Sequence, residues 1–213
     1  MYEEKKIKPR EHLEDCHKIR KAAIKSLLRS IPGEDAEREG LLETPKRVTQ
    51  MYEEIFAGYE MDPGDILNKT FSVKDGVADD EIGDIYNQSL VIVKDIPFFS
   101  QCEHHMAPFF GKAHIAYIAK DKVVGLSKLA RLTECYARRL QVQERMNKQI
   151  VNAIEKYLDP LGVMVVLQAE HTCMSMRGIR KPGSSTVTSV IRGVFKENSD
   201  ARNEALMLMG FKI

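Results

Sequence analysis

Leu90-Val91-Ile92-Val93-Lys94-Asp95-Ile96-Pro97-Phe98-Phe99 is a ten-residue run rich in β-branched and aromatic side chains, and Gly111 to Ile118 alternates well enough to be its neighbour in a sheet. Downstream, the period changes. A helix opening at Ser127 carries Leu129, Leu132 and Tyr136, and a second carries Val142, Met146, Ile150, Ile154, Tyr157 and Leu158. Asp159-Pro160-Leu161-Gly162 breaks that pattern, and Val163–Glu170 and Thr186–Phe195 return to β-branched strand composition. A short last helix begins near Ser199 or Asp200. Strand pairs separated by a helix pair imply an antiparallel sheet with helices on one face, an α+β fold.

Upstream of the sheet the chain reads as helical. From Leu13, Cys16, Ile19, Ala23, Ile24, Leu27 and Leu28 fall on one stripe that Pro32-Gly33 stops. Thr44-Pro45 looks like an N-cap with proline at the first helical position. Val48, Met51, Tyr52, Ile55 and Phe56 keep the helical period until Gly58. Pro63-Gly64 and the acidic stretch Asp75 to Asp84 read as connections. The expected division is an N-terminal helical segment, 1–70, and a sheet-containing domain, 71–213, together one structural unit. No internal repeat or low-complexity run interrupts it.

Composition sets limits on function. The 213 residues are 43% hydrophobic and 30% charged, the balance of a folded globular chain. Lys plus Arg (32) nearly equals Asp plus Glu (31), so no global field exists to hold a polyanion. Nucleic acid is therefore not an expected partner, and anion binding must come from local clusters. No apolar run reaches the roughly 20 residues needed to span a bilayer, and residues 1–6 show no apolar signal core. Four cysteines at 16, 102, 135 and 173 are too scattered for a disulfide framework, so reduced thiols and a cytoplasmic location are expected.

The chemistry concentrates in Ser100-Gln101-Cys102-Glu103-His104-His105, joined about seventy positions later by His171-Thr172-Cys173. On a strand, residues i and i+2 share a side, so His171 and Cys173 are expected to face one point. Cys102, His105 and Cys173 form a sulfur and nitrogen set suited to tetrahedral zinc, with a fourth position left open for catalysis. A closed structural site with His104 or His171 as fourth ligand is the competing arrangement. If unliganded, His104 is a candidate proton carrier near neutral pH. Gly125-Leu126-Ser127-Lys128, with Arg131 one turn on, offers helix N–H groups and cations to a phosphate, or simply a capped and solvated helix start. In Gln141 to Arg145 a carboxylate, Glu144, stands beside an amide, Gln143; Glu144 would also suit a helix dipole. Arg177 follows the second thiol and could be an ordinary surface residue.

These segments together resemble the GTP cyclohydrolase I family over nearly the whole chain. The resemblance rests on Arg38–Leu41 through Thr44–Val48, Met51–Phe56, Cys102–His105, Gly125–Lys128, Gln141–Arg145, and His171–Cys173 with Arg177-Gly178, all in order. It implies hydrolysis of GTP to formate and 7,8-dihydroneopterin triphosphate, the first step toward folate and other pterins. It implies one zinc per subunit, held by Cys102, His105 and Cys173, with His104 and His171 moving protons. Arg47, Ser127, Lys128, Arg131 and Arg177 would take the triphosphate, and Gln143 and Glu144 would read guanine. It further implies the tunnelling fold, an antiparallel sheet with paired helices assembled as two stacked pentamers, a homodecamer. Related pterin synthases and the nitrile reductase of queuosine-precursor synthesis use other ligand sets. A zinc-stabilised module without turnover would not need His104 and His171.

Overall fold

The computed structural model describes residues 13–72 and 90–212. The N-terminal part is helical: α1 (Leu13–Arg29), α2 (Glu39–Leu42), α3 (Thr44–Ile55), a 3₁₀ turn (Ala57–Glu60) and α4 (Pro63–Leu67). α1 lies against α3, with His17 and Arg20 both paired to Glu53. Its apolar stripe is only partly covered within one chain, since Ile19 and Leu27 remain 67% and 63% exposed. The cap of α3 is Glu43 rather than Thr44, and no side chain closes it. Thr44 is the first helical residue, and Thr49 Oγ1 instead donates to the Pro45 carbonyl. Gly58 does not end α3 through a left-handed turn. A Cβ there would stand 2.4 Å from the Cys135 carbonyl oxygen, so glycine lets the 3₁₀ turn lie against the C-terminal end of the fifth helix.

Strand β1 (Thr70–Ser72) follows, then β2 (Leu90–Cys102), β3 (Pro108–Ile118) and β4 (Lys122–Val124). The expected boundary at residue 70 falls inside β1, which pairs with β4, and Leu67 is buried in the main core. The acidic stretch 75–84 lies outside the described residues. Next come α5 (Leu126–Ala137), β5 (Leu140–Gln141), α6 (Gln143–Leu158), β6 (Gly162–His171) and α7 (Thr172–Ser175). The chain finishes with β7 (Thr186–Gly193), α8 (Val194–Glu197) and α9 (Ser199–Met209). Gly125, not Ser127, precedes α5, and no side chain caps it. β7 stops at Gly193, so Phe195, expected on the strand, sits on α8.

The main sheet has the order β5-β2-β3-β6-β7, antiparallel except for the short β5–β2 pair. The expected α+β architecture with an antiparallel-rich sheet is present. Phe98, Phe109, Ile115, Tyr117, Val163, Val165 and Leu167 turn to one face and pack under Leu129, Leu132, Met146, Ile150 and Ile154 of α5 and α6. Each such fully buried side chain contributes roughly 1.5–3 kcal/mol of transfer free energy. The other face is not bare. Ala116, Ile118, Met164 and Val166 pack against Phe195, Ala205 and Met209, so helices cover both faces at one end of the sheet. This explains why residues 163–167 read as a continuous apolar run instead of an alternating one. Among the described residues, no helix is long and apolar enough to cross a membrane.

A bulge in β2 between Val93 and Ile96 places Asp95 at φ +58°, and Lys112 pairs with its carboxylate. Its backbone N–H donates to His114 Nδ1 at 3.3 Å, and the His114 ring meets Phe211 edge-on at 5.3 Å. Burial holds His114 below its ordinary pKa of about 6.5; Asp95 opposes this, and Lys112 and Lys94 reinforce it. The unfolded chain therefore takes up a proton first as pH falls, so stability declines below about pH 6.5. The urea midpoint should fall between pH 7.5 and 5.5 in the wild type. His114→Asn, which keeps an acceptor but cannot titrate, should flatten that slope.

Candidate functional site

The register of the sheet assembles the site. Ser100 of β2 pairs with Phe109 of β3, and Phe109 pairs with His171 of β6, so the 102–105 turn and the end of β6 meet at one edge. The turn is closed by Cys102 N–H to the Ala107 carbonyl at 2.8 Å and Met106 N–H to the Cys102 carbonyl at 2.7 Å. Met106 takes a left-handed φ of +52° to complete it. Cys173 is not on the strand with His171. β6 ends at His171, and Cys173 sits in α7, whose start is held by Thr172 Oγ1 donating to the Pro108 carbonyl at 2.6 Å. The one-turn helix, not strand alternation, brings the second thiol back over the first.

Cys102 Sγ, a His105 ring nitrogen and Cys173 Sγ all lie within 4.8 Å of one another. A tetrahedral sulfur and nitrogen site has an edge of about 3.5–3.8 Å, on the same scale as this grouping. Cys102 is buried, Cys173 half-buried and His105 exposed. Burial, then the neighbouring Cys102 sulfur, pushes the Cys173 thiol above its usual range, and Arg177 works in the opposite direction. Two soft donors and one imidazole in this arrangement fit a zinc-like ion, which would also relieve the crowding of the two neighbouring sulfurs. His104 Nδ1 lies 3.9 Å from Cys102 Sγ, beside the group, with its ring 6.2 Å from that of His105.

His171 is placed apart from the thiols. Its ring stacks on Phe109 with centroids 4.5 Å apart and planes 2° from parallel. Burial lowers its pKa, and the nearby Glu144 charge works against that. Its Nε2 lies 2.8 Å from Gln143 Oε1. The Gln143 amide nitrogen donates to the Leu167 and Thr186 carbonyls and Thr188 Oγ1, at 3.0 to 3.1 Å. Those acceptors fix the amide orientation, so Nε2 of His171 carries the hydrogen and neutral Nδ1 is left as the acceptor. At 1% exposure the Gln143 side chain is buried and holds His171. The signal was in the sequence: Gln143 begins the buried stripe Asn147, Ile150 and Ile154 at i+4, i+7 and i+11. Glu144, next in the chain, is exposed.

The remaining expected residues do not join this group within one chain. Ser127 and Arg131 are exposed and Lys128 half-buried at the start of α5. That start follows Val124, whose N–H donates to Tyr117 Oη at the opposite end of β3. From Phe109 to Ile118 is nine residues of strand, about 30 Å. Arg47 is exposed on α3, and Arg177, exposed beyond α7, is close enough to influence Cys173. Sequence reading missed Glu103, whose two carboxylate oxygens each accept from Arg145 at 2.6 Å. That guanidinium holds the Glu103 carboxyl below the usual range.

With this geometry in view, comparison with known proteins is informative. The family model described as GTP cyclohydrolase I matches residues 20–210. The chain belongs to the GTP cyclohydrolase I family. It is 55% identical to GTP cyclohydrolase 1 of Desulforamulus reducens, over 92% of this chain and 97% of that protein. It is 51% identical to GTP cyclohydrolase 1 of Carboxydothermus hydrogenoformans, over 88% and 92%. For GTP cyclohydrolase 1 of Geobacillus kaustophilus the identity is 52%, over 88% and 93%. A crystal structure of the archaeosine synthase QueF-Like in the apo form aligns with 49% of this chain and 94% of that one, at TM-score 0.42 and 16% identity.

For this GTP cyclohydrolase I family member, the metal group makes a direct expectation. The protein should take up one zinc or cobalt per chain, with a sulfur-to-cobalt absorption band in the cobalt form. Cys102→Ser and Cys173→Ser should each abolish uptake, and His104→Ala should leave it intact. Loss of metal from His104→Ala would make that histidine a ligand.

Proposed function

We propose that this protein is a zinc-dependent GTP cyclohydrolase I that hydrolyses GTP to formate and 7,8-dihydroneopterin triphosphate in the cytoplasm, supplying folate or other pterins. The observation that carries this reading is the Cys102–His105–Cys173 group, with His104 beside it and His171 at the end of β6 two residues before Cys173, in a chain of this family. The four described cysteines are all free thiols, in keeping with a reducing compartment.

The chemistry supplied at the metal position is Lewis-acid activation of water near neutral pH. The protein's own groups do the rest. Glu144 accepts the ring N–H and the exocyclic amine of guanine, two parallel donors that one carboxylate can satisfy together. Adenine would place an acceptor nitrogen against the same carboxylate and leave it unpaired. His171, held through Nε2 by Gln143, keeps Nδ1 free to take up and return a proton as the imidazole ring of the purine opens. His104 serves as the second carrier at the water-exposed side. Lys128, Arg131, Arg177 and Arg47 neutralise the triphosphate, and Ser127 donates to it.

Because Ser127, Lys128 and Arg131 at the start of α5 and the metal group sit at opposite ends of the sheet, the working site is built between subunits. Both sheet edges favour that assembly. β5 pairs only with Gln101 and Cys102, so among the described residues β2 has no strand partner on that side from Leu90 to Ser100. β7 forms the other edge. Edges of this kind join from chain to chain, and the tunnelling fold closed as a homodecamer of two stacked pentamers is the assembly proposed.

Two experiments test the reading. Incubation with GTP should yield formate and, after oxidation, a fluorescent pterin. Glu144→Ala should lower kcat/KM for GTP by about 10²–10⁴ while retaining metal. It should also shrink the wild-type preference for GTP over inosine triphosphate, which lacks the amine. Unchanged discrimination would assign the base to another group. Separately, Cys102→Ser and Lys128→Ala should each be inactive alone, yet regain up to about a quarter of wild-type sites when dissociated and reassembled in equal mixture. No recovery would place the whole site in one chain.

A further inference from the structure

The metal turn is tied to α6 by contacts that the proposed chemistry leaves unused. Glu103 stands between Cys102 and the two histidines but is not one of the three clustered metal-binding side chains. Its backbone N–H donates to the Gln141 carbonyl at 2.9 Å, just before α6 begins. Its carboxylate receives both arms of the Arg145 guanidinium, Nη1 to Oε2 and Nη2 to Oε1, each at 2.6 Å. Arg145 lies in the first turn of α6, two residues from Gln143, which holds His171.

We propose that Arg145 is a positioning residue for the metal group: its fork on Glu103 fixes the 102–105 turn and so the directions of Cys102 Sγ and His105. The inference rests on the metal-binding reading above. Two features of the pair support it. Its side chains are 43% and 32% exposed, and ion pairs so exposed contribute little to overall stability. A two-pronged guanidinium–carboxylate contact is instead specific in orientation, which a single lysine cannot reproduce. The turn's own backbone bonds, from Cys102 to Met106 and Ala107, do not involve Arg145 and should preserve the local fold without it.

Coulomb's law and positioning make opposite statements about this residue. A guanidinium near a dication site repels the ion, so by charge alone its removal should tighten binding. If Arg145 orients the ligands, its removal should weaken binding despite the lost repulsion. Supporting contacts around metal ligands are typically worth about 10–100-fold in affinity.

The experiment is a zinc and cobalt titration of the metal-free full-length chain against a chromophoric chelator. It uses wild type, Arg145→Met, Arg145→Lys, Glu103→Gln and the double variant Glu103→Gln/Arg145→Met, with circular dichroism and assembly mass as controls of folding. Arg145→Met is expected to bind zinc about 10–100-fold more weakly. Arg145→Lys, which keeps the charge and loses the fork, should also weaken it. The double variant should be no worse than the weaker single, because the two groups act as one unit. The cobalt spectra of the single variants should shift from that of wild type. Equal or tighter binding by a folded Arg145→Met or Arg145→Lys overturns the proposal, as do strictly additive losses. Wild type that binds neither metal overturns the metal reading itself and this inference with it.

Discussion

Everything at the site depends on the lateral row Ser100–Phe109–His171 across three antiparallel strands. Antiparallel pairing is directional and has a period of two, so a slip of one residue would turn His171 to the other face. Because the row is in register, the turn after β2 and the turn after β6 emerge at the same edge. The apolar layer beneath it, with Phe98 against Phe109 edge-on at 6.0 Å, makes that register costly to change. Phe109 thus has two roles: it belongs to the core, and it is the surface on which His171 lies.

The first turn of α6 has the comparable role on the helical side. Its three consecutive residues point three ways, as a helix advancing about 100° per residue requires. Gln143 goes inward to the sheet and His171, Glu144 outward to solvent, and Arg145 to the metal turn. In the proposed mechanism, base recognition, proton transfer and ligand orientation would therefore all fall to one rigid element. Asn147, a turn further on, donates to the Thr188 carbonyl and Oγ1 and anchors that element to β7.

A chain of net charge +1 has no global field for a highly charged anion, so any such anion must be held by local cations. Lys128 and Arg131 stand at the start of α5, toward the far end of the sheet, whereas Arg177 and Arg145 lie near Cys173 and the 102–105 turn. In the assembly proposed above, activity would be a property of the assembly rather than of the subunit.

Much of this was legible in the sequence. Strand and helix order followed from period, because burial of one face imposes a repeat of two or 3.6 on side-chain type. Cys102, His105 and Cys173 were identifiable as a group that could hold a metal, because sulfur and imidazole are the donors a zinc-like ion prefers. Where local pattern failed, a long-range contact had overridden it. Gly58 is glycine because of the Cys135 carbonyl, not because a helix ends there. The apolar run 163–167 lost its alternation because α8 and α9 cover the second face. Cys173 returns toward Cys102 on a one-turn helix that no periodicity announces. Gln143 and Arg145 look alike in sequence, as polar residues at a helix start, and only the packed structure separates an amide facing His171 from a guanidinium gripping Glu103. The sequence by itself determined which groups are present and in what local order, since those depend on neighbours along the chain. The tertiary structure alone decided which of them meet, since contacts between residues 28 to 42 positions apart, as in Gln143–His171 and Glu103–Arg145, are set by sheet register and helix packing rather than by local propensity.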